Sequence, residues 1–178
     1  MNRTGKPGIT TTVLRCIVAA ALASATASAW ADAPAVTKVM SLTLEAAQKA
    51  ASAAMQDCRK RGAMVAVAVT DRAGLPLAVL RDPLAGMHTT DTATRKAWTA
   101  ISFKAPTSTL EKATAPGTES NGIRHLPGVA MIGGGITIDA AGSIVGGIGV
   151  SGAPNGGLDD LCAKAGLAAI REDIEFGL

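Results

Sequence analysis

Met64-Val65-Ala66-Val67-Ala68-Val69-Thr70-Asp71-Arg72-Ala73-Gly74-Leu75-Pro76-Leu77-Ala78-Val79-Leu80 alternates branched and small residues up to Thr70, halts, and resumes at Leu75. Alternation of that kind is the period of a β-strand. The halt, Asp71-Arg72-Ala73-Gly74, combines a carboxylate able to bond nearby backbone with a glycine free to take positive φ, so the run predicts a hairpin. A second copy follows: Ile136-Thr137-Ile138, the turn Asp139-Ala140-Ala141-Gly142, and Ser143 to Val150. Two copies are not a repeat architecture, which needs three or more units. They do predict an antiparallel sheet, in its simplest form a meander, of about five strands.

Helices surround the hairpins. From Thr43 to Arg61, Leu44, Ala47, Ala51, Ala54 and Cys58 recur at spacings of three and four, which puts them on one face. Thr43 caps the first turn, Glu45 and Arg59-Lys60-Arg61 complement the dipole, and Gly62 supplies the stop. A middle helix starts at Thr89 or Thr90, carries Ala93, Ala97, Ala100 and Ile101 on its apolar stripe, and ends at Pro106. Ser108 to Lys112 is long enough for one more turn. Thr114 to Pro127, rich in Gly, Pro, Ser and Asn, reads as a long surface loop of the mobile or functional kind. The last helix runs from Gly157 to about Phe176 with Leu158, Leu161, Cys162, Ala165 and Ala169 on one face. Helices at both ends of an antiparallel sheet give an α+β fold, its sheet flanked by helices.

The first 31 residues have a different character. Arg3, Lys6 and Arg15 precede a short alanine-rich run, Cys16 to Ala25, and Ala29-Trp30-Ala31 has the small-x-small form of a signal-peptidase site. A bilayer of ~30 Å takes ~20 apolar residues to span, more than this run offers. The reading is a signal peptide over 1–31, a flexible lead-in over 32–41 and one domain over 42–178, in a periplasmic or secreted protein with no membrane span in its mature form. Cys58 and Cys162 then remain. An exporting pathway permits a bridge between them, and as lone thiols both would serve as small apolar residues.

The whole chain counts 17 Lys and Arg against 14 Asp and Glu. Three of the basic residues lie in the signal segment, so the remainder balances at 14 of each sign. A neutral chain lacks the basic face that nucleic acid or anionic lipid demands. Aromatics past residue 31 are Trp98, Phe103 and Phe176 alone, which argues against base-stacking platforms.

Motifs for common chemistries are missing. Gly133-Gly134-Gly135 lies between strands rather than before a helix, and reads as a place of close backbone approach rather than a phosphate cradle. Gly149-Val150-Ser151-Gly152 lacks the last glycine of a nucleophile elbow, since position 153 is Ala. Asp159-Asp160 opens the last helix, where acidic residues serve its dipole; a pair of acid–base carboxylates is the other reading. Only His88 and His125 carry imidazoles. Each alone is an ordinary loop histidine, but a porphyrin iron needs only one or two axial donors. Met87, His88 and His125 are the donors present, with Met131 a weaker one, and His88 and His125 are the candidate metal ligands. Arg81, Arg95, Lys96 and Arg124 are either solvated surface charge or partners for the carboxylates of a bound ligand.

Three segments together resemble the GlcG/HbpS family, the haem-degrading domain family: Ala66 to Gly74; Lys96-Ala97-Trp98-Thr99-Ala100-Ile101-Ser102-Phe103-Lys104-Ala105-Pro106-Thr107; and Gly146 to Ala153 followed by Asp159 to Gly166. They span about Leu42 to Ile170. The resemblance implies a profilin-like domain, homo-oligomers from dimers upward, and haem as ligand, with some members described as haem-degrading or iron-handling. Related domains accompany corrinoid enzymes or stand in glycolate-utilisation operons. Haem would then lie against the sheet and middle helix, with His88 or His125 on the iron and Arg95, Lys96 or Arg124 on the propionates. The chain departs from the family at Arg81-Asp82-Pro83-Leu84-Ala85-Gly86, where Met-Asp-Gly-Ala is common, and at Asp159-Asp160, where Asp-Glu is common. Alternatives of other classes are a homo-oligomeric scaffold or sensor module and a binder of a corrinoid or a small hydroxy acid.

Overall fold

The computed structural model describes residues 34–176. The proposed signal peptide, 1–31, lies outside them. Residues 34–43 contain neither helix nor strand. Helix α1 follows at Leu44–Lys60, strands β1 at Ala66–Asp71 and β2 at Pro76–Arg81, helices α2 at Thr89–Phe103 and α3 at Thr107–Ala113, and a 3-10 helix at Glu119–His125. Strands β3 at Gly135–Ala140 and β4 at Ser143–Ser151 come next, then helices α4 at Gly156–Ala169 and α5 at Arg171–Phe176. The fold is α+β, as expected.

The sheet has four strands, not five, and it is not a meander. Its order is β2-β1-β4-β3, every pair antiparallel. The hairpins join through β1 and β4, which occupy the centre. Composition accounts for this. Strand β1 is buried on both faces along nearly its whole length, whereas β2 is half exposed. Val65, Val67 and Val69 meet α1 and α4 together with Ile136, Ile138, Ile148 and Val150. Ala66 and Ala68 turn the other way, onto Ala93 of α2. The alternation of valine and alanine is therefore a choice of layer: branched residues fill one gap, and small ones let α2 lie close in the other. Gly149 pushes that approach to its limit, since a Cβ there would collide with the carbonyl of Ala93.

The two turns are less alike than their sequences. In the first, the Asp71 carboxylate accepts the Leu75 N–H (2.9 Å) and Gly74 takes φ +84°. In the second, Asp139 and Ala140 continue the strand and the reversal falls on Ala141 and Gly142, both with positive φ. Asp139 accepts instead from the Thr137 hydroxyl.

Two apolar stripes also shift. Leu44 is exposed, and α1 buries Ala47, Ala50, Ala51, Ala54, Met55 and Cys58. In α4 Leu161 is exposed, and the inward positions are Asp159, Asp160, Cys162, Ala163 and Gly166. Both carboxylates have buried donors to meet, and that rotates the helix. The last helix is also interrupted at Ile170, so α5 is separate. Cys58 and Cys162 form a disulfide that ties α1 to α4.

The loop leading to α2 is braced from below. Asp82 is buried; its carboxylate accepts from Arg59 Nε (2.8 Å) and from the Leu84 N–H (3.1 Å), while Arg81 donates to the Ala85 carbonyl (2.7 Å). The Leu84 N–H and the Arg59 guanidinium hold the Asp82 acid below its ordinary value of 3.8. A carboxyl lowered in the fold adds stability above its unfolded pKa and loses it as pH falls through the folded value. Asp82→Asn is therefore expected to destabilise the chain at pH 7 and to flatten its loss of stability below about pH 4, as read by urea unfolding across pH.

Candidate functional site

A cleft of about 410 Å³ opens between the start of α2 and the loop that joins β4 to α4. Gly86, His88, Thr89, Thr92 and Lys96 line one side. Residues 151–156 line the other, with Asp159 and Ile132 completing it. His88 stands immediately before α2 and is exposed; the Thr89 N–H and hydroxyl both return to the Gly86 carbonyl, which fixes the turn carrying it. Gly86 lies against the imidazole: a Cβ there would come within 2.9 Å of it. On the facing wall, Asn155 caps α4 by accepting the Leu158 N–H (3.0 Å).

At the base of the cleft lies a buried ion pair. Lys96 Nζ donates to Asp159 Oδ2 (2.8 Å) and to the Val150 carbonyl (3.0 Å), and the two side chains are 2% and 4% exposed. Asp159 Oδ1 accepts the Ala153 N–H (3.1 Å). Burial pushes the Asp159 acid above its ordinary value, Asp160 adds to that, and Lys96 with the Ala153 N–H works against it. Asp160 itself accepts the Gly134 N–H, Thr107 Oγ accepts that of Gly135, and Glu111 that of Gly133. The three glycines are indeed where backbones approach: Gly133 lies against Gly156, and Gly134 against the Val150 carbonyl and Lys96.

Of the residues singled out from sequence, the cleft brings together His88 and Lys96. Lys96 is occupied by Asp159 and Val150, so its charge is not presented to solvent. Met87 is 93% exposed, beside His88 on the braced loop. Arg95 lies on the outer face of α2, paired with Asp91 (2.8 Å). Arg124 donates to the carbonyls of Thr114 and Glu111, which orders the long loop around the 3-10 helix. His125 ends that helix, exposed, and is not among the residues lining the His88 cleft. Met131 is buried. Among the described residues no group of three or more His, Cys, Asp or Glu side chains is arranged to hold a metal ion, and no helix is long and apolar enough to cross a membrane.

Asp159 as the partner of Lys96 is the element that sequence reasoning did not reach. Its signal is present nonetheless. Lys96 shares the buried face of α2 with Ala93, Ala97 and Ala100, and a lysine buried there requires a carboxylate.

The donor set fits a tetrapyrrole iron at one edge. One exposed imidazole lines a cleft that Ile132 also lines, and the loop carrying it exposes Met87 and Leu84.

Comparison with known proteins gives the family and the ligand class. A family model described as "Haem degrading protein HbpS-like" matches residues 42–168. The structure of an HbpS double mutant from Streptomyces reticuli superposes with a TM-score of 0.73 at 45% identity, covering 79% of this chain and 94% of that one. A structure described as a PduOC:heme complex superposes with a TM-score of 0.69 at 30% identity, covering 74% and 96%. The corrinoid adenosyltransferase PduO of Citrobacter freundii is 31% identical over 115 residues, which are 64% of this chain and 34% of that protein. The chain thus spans about a third of that curated relative.

Proposed function

The chain belongs to the HbpS-like family of haem-degrading proteins, and from that premise we propose that it is an exported haem-binding protein whose cleft takes one edge of the porphyrin with His88 on the iron. The observation that carries the reading is the place of His88, the one imidazole lining a cleft whose walls are each fixed by hydrogen bonds. Bound haem supplies the iron and its redox chemistry. The chain supplies an imidazole donor, the exposed apolar side chain of Ile132 on the cleft, and a braced loop that holds the donor in place. The haem bound in the PduOC complex supports the ligand class. The Cys58–Cys162 bridge supports export to a periplasmic or extracellular, oxidising compartment.

Titration of the chain with hemin is expected to shift the Soret band. His88→Ala is expected to weaken binding at least tenfold, a change of about 1.4 kcal/mol, while His125→Ala stays within about twofold. No Soret shift, or equal affinities for the chain and His88→Ala, would sink the reading. The similarity to a corrinoid adenosyltransferase favours cobalamin as the second candidate, and a parallel titration that saturates with cobalamin and not with hemin would select it. The homo-oligomer implied by the family belongs to the same proposal and is read from the same samples by native mass spectrometry. Spectra followed over hours with a reductant tell degradation of bound haem from simple binding.

A further inference from the structure

We propose that Lys96 and Asp159 are positioning residues that set the width of the His88 cleft by tying its loop wall to α2. The role deepens the haem-binding reading and rests on it for its ligand, though not for its geometry. Helix α2 supplies one wall through Thr89, Thr92 and Lys96, and the opposite wall is residues 151–156, which bridge β4 and α4. Lys96 Nζ reaches across to the Val150 carbonyl at the root of that wall and to Asp159 Oδ2 on the first turns of α4. The second oxygen of Asp159 then accepts the Ala153 N–H in the middle of the wall. One ammonium and one carboxylate therefore connect α2, the end of β4, the loop and α4.

Packing alone does not explain the pair. Replacing a buried ion pair by apolar residues of similar volume is often neutral or stabilising. A methionine and a leucine would fill the same space, but neither would offer an oxygen to Ala153. Gly134 shows how tightly the pair is enclosed: a Cβ there would meet both Asp159 Cβ (2.7 Å) and Lys96 Nζ (3.0 Å). With little room around it, the pair has one arrangement to adopt, and the loop follows it.

The test uses the full chain with the double substitution Lys96→Met/Asp159→Leu, which removes both charges together and so leaves neither buried alone. Hemin affinity is expected to fall about tenfold with the Soret maximum of the complex unchanged, because the iron donor is untouched. The Ala153 amide is expected to exchange with solvent about tenfold faster relative to the Val150 amide, which is held by the Gly134 carbonyl. Lys96→Met/Asp159→Asn, which retains an oxygen facing Ala153 but not the link to α2, is expected to restore the slow exchange of the Ala153 amide and to leave hemin affinity low; affinity restored to the parent's would show that Lys96 plays no part in the tie and overturns the proposal. Hemin affinity within twofold of the parent overturns the proposal, as does a shifted Soret maximum, which would place one of the pair on the haem itself. An Ala153 amide in the unsubstituted chain that exchanges as fast as an exposed one overturns it with no variant at all. If the parent chain leaves the Soret band unmoved, the haem reading falls, and the tie is judged on Ala153 exchange, which needs no ligand.

Discussion

Lys96→Met alone is expected to cost about 3–5 kcal/mol of folding stability, the loss seen when one partner of a buried ion pair is removed. Measured by urea unfolding at pH 7, that is a large share of the 5–15 kcal/mol typical of a domain. The cost comes from what remains. Asp159 is left nearly solvent-free, keeping one hydrogen bond from Ala153 and the like charge of Asp160 nearby. Lys49–Asp173 provides the control, since its N···O distance is the same 2.8 Å but its side chains are 53% and 47% exposed. Lys49→Met is expected to cost under about 1 kcal/mol, because water screens the pair and solvates the survivor. Equal losses at the two sites would refute the claim that burial decides the outcome.

The pH dependence of the same variant has a definite sign. Burial already raises the Asp159 acid above 3.8, and Lys96 opposes the rise. Without Lys96 the rise is larger. A carboxyl raised in the folded state contributes stability that is complete below its unfolded pKa and is lost as pH climbs through the folded one. Lys96→Met is therefore expected to regain stability relative to the parent as pH falls from 7 toward 4, opposite to the trend from Asp82, whose acid is held low.

What the sequence revealed and what it withheld divide along a physical line. Local rules carried most elements: Thr43 accepts from the Ala46 N–H at the start of α1 as its position implies, and α2 stops at Phe103, just before Ala105-Pro106. The strand order was beyond them, because pairing β1 with β4 brings together residues that the whole middle of the chain separates. The count and the order depend on which strands are buried on both faces, and Ala66-Val67-Ala68-Val69 reads as a strand whether one face is covered or two. The site divides in the same way. His88 and Lys96 fall within one cleft, being separated by two turns of one helix. From sequence, Asp159 reads as an acid serving the helix dipole or as one of a carboxylate pair, and the first is a sufficient local account of an acid at that position. Its real partner lies 63 residues earlier. Arg124 reads as a free cation from its sequence and is spent on two loop carbonyls.

The disulfide separates two explanations for a core so rich in alanine. Where α1 and α4 meet, Gly166 lies against the Ala50 carbonyl and Ala54, and Ala47, Ala51 and Ala163 are buried in the same core. Side chains so small bury little area each, so hydrophobic transfer across this contact is modest. Closing a loop with a sequence separation of 104 restricts the unfolded chain by about 4.7 kcal/mol in the chain-entropy account, and removal of native bridges from small domains costs about 2–5 kcal/mol. Cys58→Ala/Cys162→Ala is accordingly expected to lower stability by about 2–5 kcal/mol in urea. Alanine matches its neighbours on α1, which keeps the substitution close to a test of the link itself. Adding a reductant should carry the parent to a midpoint near that of the double variant and leave the variant unmoved. Both sulfurs are fully buried, so reduction should wait on local opening and proceed more slowly under native conditions than at the edge of the unfolding transition. If oxidised and reduced chains share one midpoint, the small-residue contact suffices by itself, and the bridge loses its value as support for an oxidising compartment.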